Sequence, residues 1–512
     1  MVDNTSKNKR IAKNTVFLYL RMLLLFVVNF YMTRILLQEL GVDDFGLYNV
    51  VAGFVAMLGF INTSMTNSIQ RFINYQMGKD SIDGVKRYFE SSMLAQIIFA
   101  GVVFLLFETV GLWFVNNIMV IPEGREFAAN VVYQSACICT MIGFVRAPYN
   151  ALIIAKEKME FYAYISILEA ILKVAIIFAL SWFAYDKLSL YGLLLVVVTF
   201  MIYLCSVIYC KKIVPAIRFR LNRDKVVLKE ILSFSGWNLI GTVSGTIKSQ
   251  GINILMNLFF GVAVNAARGV AYQVLGGIQQ FVSNFQIAIN PQIVQTYSAG
   301  EKHRYFQLTY LSAKISLYMM WILTLPVLFG IDDILALWLG EGNVPDYTNL
   351  FVSIILFTGL FDALGSSISV SLYATGNIKV YQIVVSTIKI LVLPISYVLY
   401  IWGYAPASSM YVSLVLSGLE QVMRVLIWSR QVGENPMVYL KRIVLPALVV
   451  IGVSMGLMYL LSRTVTTSQP LIRVLIIVLY SIPISTCLIW FVGSSKVERN
   501  QLVSLVKSKI HK

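Results

Sequence analysis

Apolar residues run through this chain in long blocks separated by short polar breaks. A helix that crosses a bilayer needs about 20 mostly apolar residues. Fourteen blocks reach that length: roughly 12–37, 45–66, 91–115, 127–148, 161–184, 189–209, 234–259, 266–290, 307–331, 347–373, 380–402, 407–428, 443–462 and 472–492. The seventh and eighth are diluted by Gly, Ser, Asn and Gln. The pattern predicts an all-α integral membrane protein with 14 transmembrane helices.

The charges between the blocks test that count. Basic residues collect on cytoplasmic segments of membrane proteins. With the N-terminus inside, the cytoplasmic segments hold Lys7, Lys9, Arg10, Lys13, Lys79, Lys86, Arg87, Lys156 and Lys158. Basic residues from Lys211 to Lys229, then Lys302, Arg304, Lys379, Arg430, Lys441, Arg442 and a basic tail, fall on the same side. The outer loops hold few basic residues, Arg125, Lys187, Arg463 and Arg473, and carry acids instead, among them Glu39, Asp43, Asp44, Glu123, Asp332, Asp333, Glu341 and Asp346. An even number of spans follows, with both termini cytoplasmic. The opening MVDNTSKNKRIAKN is polar and basic and reads as a cytoplasmic tail rather than a cleaved signal.

The two halves repeat at an offset of about 220 residues. Leu40-Gly41-Val42 matches Phe260-Gly261-Val262, and Gly78-Lys79 matches Gly300-Glu301 with a two-residue slip. Ala155-Lys156-Glu157 matches Thr375-Gly376-Asn377, and Glu169 falls opposite Lys389. The repeat predicts two six-helix lobes related by a pseudo-two-fold, plus two C-terminal helices. The expected domains are an N-lobe at 1–210, a basic cytoplasmic linker at 211–230, a C-lobe at 231–430, and spans thirteen and fourteen with a tail at 431–512. Such duplications mark secondary transporters, which bind cargo between the halves.

Composition narrows the class. The chain has 512 residues, of which 58% are hydrophobic and 13% charged. Soluble domains carry about 25% charged residues, so lipid is the main solvent here. The net charge of +16 would suggest nucleic acid in a soluble protein. Here the basic residues sit between apolar runs and meet anionic headgroups, so no nucleic-acid partner is expected. The five cysteines lie in or beside apolar runs, and Cys137-x-Cys139 lacks zinc-site spacing; neither a metal nor a cofactor is expected. No Walker motif appears, so ATP is not used directly.

Ionisable residues inside a span are costly and need a reason. Arg21 lies about nine residues into span one, roughly 14 Å of helix rise, too deep for easy snorkelling. A guanidinium there suits a cargo diphosphate; the structural alternative is a carboxylate partner on another helix. Arg268 opens span eight, Lys248 lies in the outer half of span seven, Arg34 sits near the outer end of span one, and Lys389 lies inside span eleven. Each is a candidate substrate cation. Arg146, at the inner end of span four, and Lys314 read as interface anchors.

Two carboxylates are coupling candidates for H+ or Na+: Asp362, the acid deep in span ten, and Glu169 in span five. Glu169 can pair with Lys173 at i+4, and Glu420 with Arg424 likewise. Polar rows on span two (Asn67 and Gln70 among them) and span eight (Gln280 and Asn284 among them) cannot face lipid. They offer amides to sugar hydroxyls or to neighbouring helices.

At this point the chain resembles the multidrug/oligosaccharidyl-lipid/polysaccharide exporter superfamily, and within it the bacterial polysaccharide-transport flippases. KNTVFLYLRMLLLFVVNFYMTRILLQELGVDDFGLYNVV is similar to the family's first two helices and intervening turn. ALIIAKEKMEFYAYISILEAILKV resembles the fourth loop and fifth helix, and LKEILSFSGWNLIG the start of the seventh.

The resemblance implies two rocking lobes, a central cationic cavity, and flipping of a polyprenyl-diphosphate-linked oligosaccharide across the bacterial inner membrane by alternating access. It also implies pathway partners, a polysaccharide polymerase and glycosyltransferases, and no enzymatic activity. Lipid II flippases of the superfamily also place arginines on their first helix.

Three other functions compete. A cation-coupled drug exporter typically has an acid on the first helix, where this chain has Arg21 and Arg34. A lipid II or teichoic-acid flippase is a close relative. A membrane glycosyltransferase or polymerase would need an outer catalytic loop, and the outer loops here are short and lack histidine.

Overall fold

The computed structural model describes residues 2–499 except 58, 118, 120, 122, 181–185, 216, 218–223, 341, 343, 465, 466, 468, 496 and 497; the side chains of 2–9, 29, 30, 33, 34, 42, 56, 57, 60 and 262 also lie outside the description. The described residues form helices and connecting turns, with no strand among them. They run as α1 Val2–Met57, α2 Gly59–Gly78, α3 Ile82–Asn117, α4 Glu126–Ala155, α5 Met159–Leu180, α6 Lys187–Ile213 and α7 Lys225–Ser298. There follow α8 Lys302–Leu339, α9 Thr348–Thr375, α10 Lys379–Ile401, α11 Ser408–Val432, α12 Pro436–Ser462 and α13 Pro470–Gly493.

Eleven helices among the described residues are long and apolar enough to span a membrane. The expected spans two, seven and eight are helical too where described, within α1, α2 and α7. Their Asn, Gln, Ser and Thr rows lower the apolarity that makes a span conspicuous. The fourteen expected spans are consistent with this helix set. Apolar side chains such as Phe26, Leu258, Val415 and Leu479 are about 70% exposed. Apolar surface on this scale requires lipid as solvent, so the chain is a multi-pass membrane protein.

The chain forms two compact units, Arg10–Leu239 and Ile240–Lys512, the latter taking in Met1–Lys9. The division falls inside α7, further along the chain than the expected 211–230 linker. Helix claims both ends of that linker: Lys211–Ile213 finish α6, and α7 begins at Lys225. Asp224 initiates α7 by accepting from the backbone N–H of Val226 at 3.0 Å and of Val227 at 3.2 Å. A carboxylate here satisfies donors that the first helical turn leaves free.

In the N-terminal unit α4 packs against α6. Val132, Tyr133, Cys137 and Phe144 meet Leu188, Tyr191, Val198 and Ile202. The approach is close: a Cβ on Gly192 would lie 3.2 Å from Ser135 Oγ and 3.4 Å from Val132 Cα. Small residues give membrane helices this intimacy. In the C-terminal unit α8 is central. Trp321 is fully buried and donates to Ser454 Oγ at 2.9 Å, fixing α12 to α8. Trp428 donates to Ser371 Oγ at 2.8 Å, fixing α11 to α9.

The repeat is visible in the backbone. Gly41 and Gly261 both adopt φ +80° with extended ψ, breaking α1 and α7 at the same point. Only glycine takes this conformation readily. Asp80 (φ 51°) and Gly300 (φ 76°) form a second pair, each at a turn before the next helix. The equivalent of Gly300 is therefore Asp80, not Gly78, and the two-residue slip disappears. Gly124 with Gly342, and Glu157 with Gly376, continue the series to within two residues.

Candidate functional site

The C-terminal unit gathers charge from four helices. Lys248 on α7, Asp362 on α9, Lys389 on α10 and Glu420 on α11 line one cavity of about 210 Å³, with Tyr272 and Ser249 in its wall. The sequence marks out all four separately, Lys248, Lys389 and Asp362 as site candidates and Glu420 as a partner for Arg424. Lys248 donates to Ser417 Oγ at 3.3 Å and lies 3.8 Å from Glu420 Oε1. The other carboxylate oxygen of Glu420 accepts from Arg424 at 2.9 Å, and both of these side chains are buried. Glu420 is thus not neutralised within its own helix alone: it bridges Arg424 to Lys248.

Asp362 is exposed to the cavity and has no cation within ion-pair distance among the described residues. Two ammonium groups and two carboxylates leave the cavity balanced in charge. Its volume falls below the ~300–1,000 Å³ typical of small-molecule pockets, so it suits an ion with water better than a glycan. Among the described residues no three His, Cys, Asp or Glu side chains converge as metal ligands do.

Arg268 stands behind this cavity rather than in it. It is 2% exposed, bonds Asn253 Oδ1, donates to Ser249 O at 3.2 Å, and lies 4.3 Å from the Tyr272 ring centroid. The bend at Gly261 makes this possible, because Asn253 and Ser249 precede it and Arg268 follows it. Arg268 braces the cavity wall through Tyr272.

In the N-terminal unit the functional groups lie along one face of α5. The Arg21 guanidinium stacks on Tyr162, 4.6 Å from the ring centroid. It has no carboxylate partner among the described residues, and its Nε is buried without a hydrogen bond. The structural alternative of an ion pair for Arg21 is not what is seen. Two helical turns on from Tyr162, Glu169 accepts from Lys173 at 2.8 Å, and Arg146 Nη1 lies 3.5 Å from its other oxygen. Glu169 is thereby held by two cations, one of which the sequence reads as an interface anchor.

The amide rows divide. Asn67 is exposed and Gln70 half-buried, neither bonded to a described residue. Gln280 is exposed, whereas Asn284 is 1% exposed and donates to Gln280 O at 2.8 Å. Of the two, Gln280 presents its side chain at the surface and Asn284 does not. The side chain of Arg34 lies outside the described residues.

Sequence reasoning missed Glu90. It is buried on α3, and its Oε1 has no hydrogen-bond partner. The flanking Lys86 and Arg87 assign it to a loop, but α3 starts at Ile82 and places it two turns inside.

Comparison with solved structures gives the fold. The chain is similar to a multidrug resistance MATE family transporter of the MOP superfamily in an outward-facing conformation, with TM-score 0.69, 10% identity, and 83% of this chain and 96% of that one covered. It is similar to a MATE transporter of Vibrio cholerae with TM-score 0.65, 16% identity, and 85% and 99% covered. A third similar structure is a MOP superfamily transporter from Pyrococcus furiosus whose description reports reversed binding-pocket polarity, with TM-score 0.67, 9% identity, and 83% and 96% covered. No curated protein matches by sequence. A family model described as "Polysaccharide biosynthesis protein" matches residues 9–297, more than half of the chain. That match makes this chain a member of the polysaccharide biosynthesis protein family, and the solved structures show that its helical fold is MATE-like.

Proposed function

We propose that the protein is a flippase that moves a polyprenyl-diphosphate-linked oligosaccharide across the bacterial inner membrane by alternating access, with both termini in the cytoplasm. The observation that carries the proposal is Arg21, a guanidinium on the first helix stacked on Tyr162 and lacking a carboxylate partner among the described residues. The stack orients the guanidinium plane without consuming its charge, leaving its donors for phosphate oxygens. Gln280 and Asn67 are exposed and Gln70 half-buried, and their amides are the ones proposed for sugar hydroxyls.

Coupling to H+ or Na+ belongs to the balanced cluster of the C-terminal unit. Asp362 is exposed to the cavity and unpaired among the described residues, whereas Glu169 is saturated by Lys173 and Arg146. A drug-exporter reading rests on fold alone, and the first span lacks the acid that cationic cargo would need.

The test uses proteoliposomes and a fluorescent polyprenyl-diphosphate sugar. A lost charge-assisted contact is worth about 1.5–3 kcal/mol, so Arg21→Ala should slow flipping by about tenfold to a hundredfold. Arg21→Lys should recover part of the rate. Undiminished flipping by Arg21→Ala overturns the assignment, as does faster transport of an organic cation than of the glycolipid.

A further inference from the structure

The C-terminal unit holds a second, larger cavity that the transport reading does not use. It measures about 620 Å³ and lies where α8 begins, α12 begins and α13 ends. His303, Arg304 and Lys314 of α8 line it, with Lys441 and Arg442 of α12 and Glu498 beyond α13. Four permanent cations and a histidine therefore surround one carboxylate.

That carboxylate shows what the pocket accepts. Both oxygens of Glu498 lie 3.0 Å from Lys314 Nζ, and the Ser495 N–H donates to one of them at 2.7 Å. An ammonium and a backbone amide on one oxyanion make the cradle a phosphate oxygen would receive. Lys314 is itself only 11% exposed at its side chain, so it is built into the pocket rather than laid over it. These contacts hold the Glu498 carboxyl below its ordinary range, although burial alone would raise it.

Lys441 and Arg442 have no carboxylate within ion-pair distance among the described residues; Arg442 lies 5.7 Å from the Tyr310 ring centroid. Both stand at the rim, exposed.

Position identifies the source of the anion. Lys441 and Arg442 directly precede the apolar run of α12, and Gly493–Ser495 directly follow that of α13. This is the depth at which lipid headgroups sit. Pro446 and Val492 line the pocket's other side, and beside them Leu445 and Phe491 are exposed. A free phosphate has no use for that apolar rim, whereas acyl chains would lie along it.

We propose that this pocket binds the phosphodiester headgroup of an anionic membrane lipid on the face where the basic loops collect, with Glu498 as a tethered competitor for the same cradle. The site is independent of the cargo assignment, since it shares no residue with Arg21 or the Asp362–Glu420 cluster.

Native mass spectrometry of the full chain, loaded from mixed phosphatidylglycerol and phosphatidylcholine, tests it. The wild type should retain phosphatidylglycerol in preference to phosphatidylcholine. Each basic residue near a membrane surface contributes about 1 kcal/mol, so the double variant Lys441→Ala/Arg442→Ala should bind about thirtyfold more weakly. Glu498→Gln, which keeps the shape and removes the competing charge, should bind more tightly and serves if the double variant does not fold. Millimolar inorganic phosphate should not displace the lipid. Equal retention of the two lipids, unchanged retention in the double variant, weaker retention in Glu498→Gln, or displacement by inorganic phosphate would each overturn the proposal.

Discussion

The two halves share a backbone pattern and differ in how they keep charge inside the membrane. The N-terminal unit strings its groups along one helix face: Arg21 on Tyr162, then Glu169 between Lys173 and Arg146, all half-buried. The C-terminal unit draws its groups from four helices into one cavity and buries the pair Glu420–Arg424 beneath it. Duplication preserved the bends at Gly41 and Gly261 and the turns at Asp80 and Gly300, because a changed bend misdirects a whole helix. Side chains were free to diverge. At the matched position the first half has Glu169, held between two cations, and the second has Lys389, beside the balanced cavity. The contrast separates a half-buried cation without an ion pair among the described residues from a charge-balanced cluster drawn from four helices.

The largest effect should come from breaking the buried pair. Removing one partner of a buried ion pair costs about 3–5 kcal/mol, because the other charge stays buried. Glu420→Ala should destabilise the protein by that amount in a denaturation series in detergent. Glu169→Ala leaves two cations that are half-buried rather than buried, and should cost less. Gly365 guards the same pair: a Cβ there would overlap the Arg424 guanidinium. Equal costs for the two glutamate variants would erase the distinction between the units.

Much of this fold was legible in the sequence because lipid imposes one simple requirement, an apolar run of fixed length. The repeat was legible because bends need glycine. It misaligned at residue 78 for the same reason: Gly78 drew the match, while the left-handed turn is made by Asp80, a residue type that tolerates it.

The individual charges of the C-terminal cavity were legible as charges in apolar runs, but their meeting was not. Lys248, Asp362, Lys389 and Glu420 come from separate helices, and no spacing rule joins them. Arg268 looked like a cavity residue because it opens a span. The bend at Gly261 instead turns Asn253 and Ser249 back to enclose it. Glu90 was hidden by charged neighbours.

Next in size is the contrast between two of the arginines marked as candidate substrate cations. Arg268 is buried and satisfies Asn253 and Ser249, so Arg268→Ala strands those acceptors and should cost about 1–3 kcal/mol of stability. Arg21→Ala removes a half-buried group with no ion pair and should cost less than about 1 kcal/mol while slowing flipping. Thermal unfolding and flipping rates on the same preparations check both. If Arg268→Ala keeps full stability but loses transport, Arg268 reaches cargo and the structural role assigned to it is wrong.

The smallest effect lies outside the spans, in the loop pairs that pin each unit. Arg125 joins three segments of the N-terminal unit: its Nε donates to Asp44 Oδ1 at 2.8 Å, and its Nη1 lies 2.8 Å from Asp186 Oδ1. Among its described residues the C-terminal unit makes one comparable outer ion pair, Arg473 to Asp333 at 3.3 Å. Burial pushes the Asp186 carboxyl up, but hydrogen bonds from Ser189 and the charge of Arg125 outweigh it and hold the group below its ordinary value. A carboxyl depressed by folding adds stability that is complete above its unfolded value, near 3.9, and is lost as pH falls through its folded value. Asp186→Asn should therefore lower stability by about 0.2–1 kcal/mol at neutral pH, with the gap to wild type closing below about pH 4. Melting temperatures of both proteins between pH 3 and 7 read this directly. A gap that widens on acidification would mean the carboxyl is protonated in the folded state, and Arg125 would then be held by Asp44 alone.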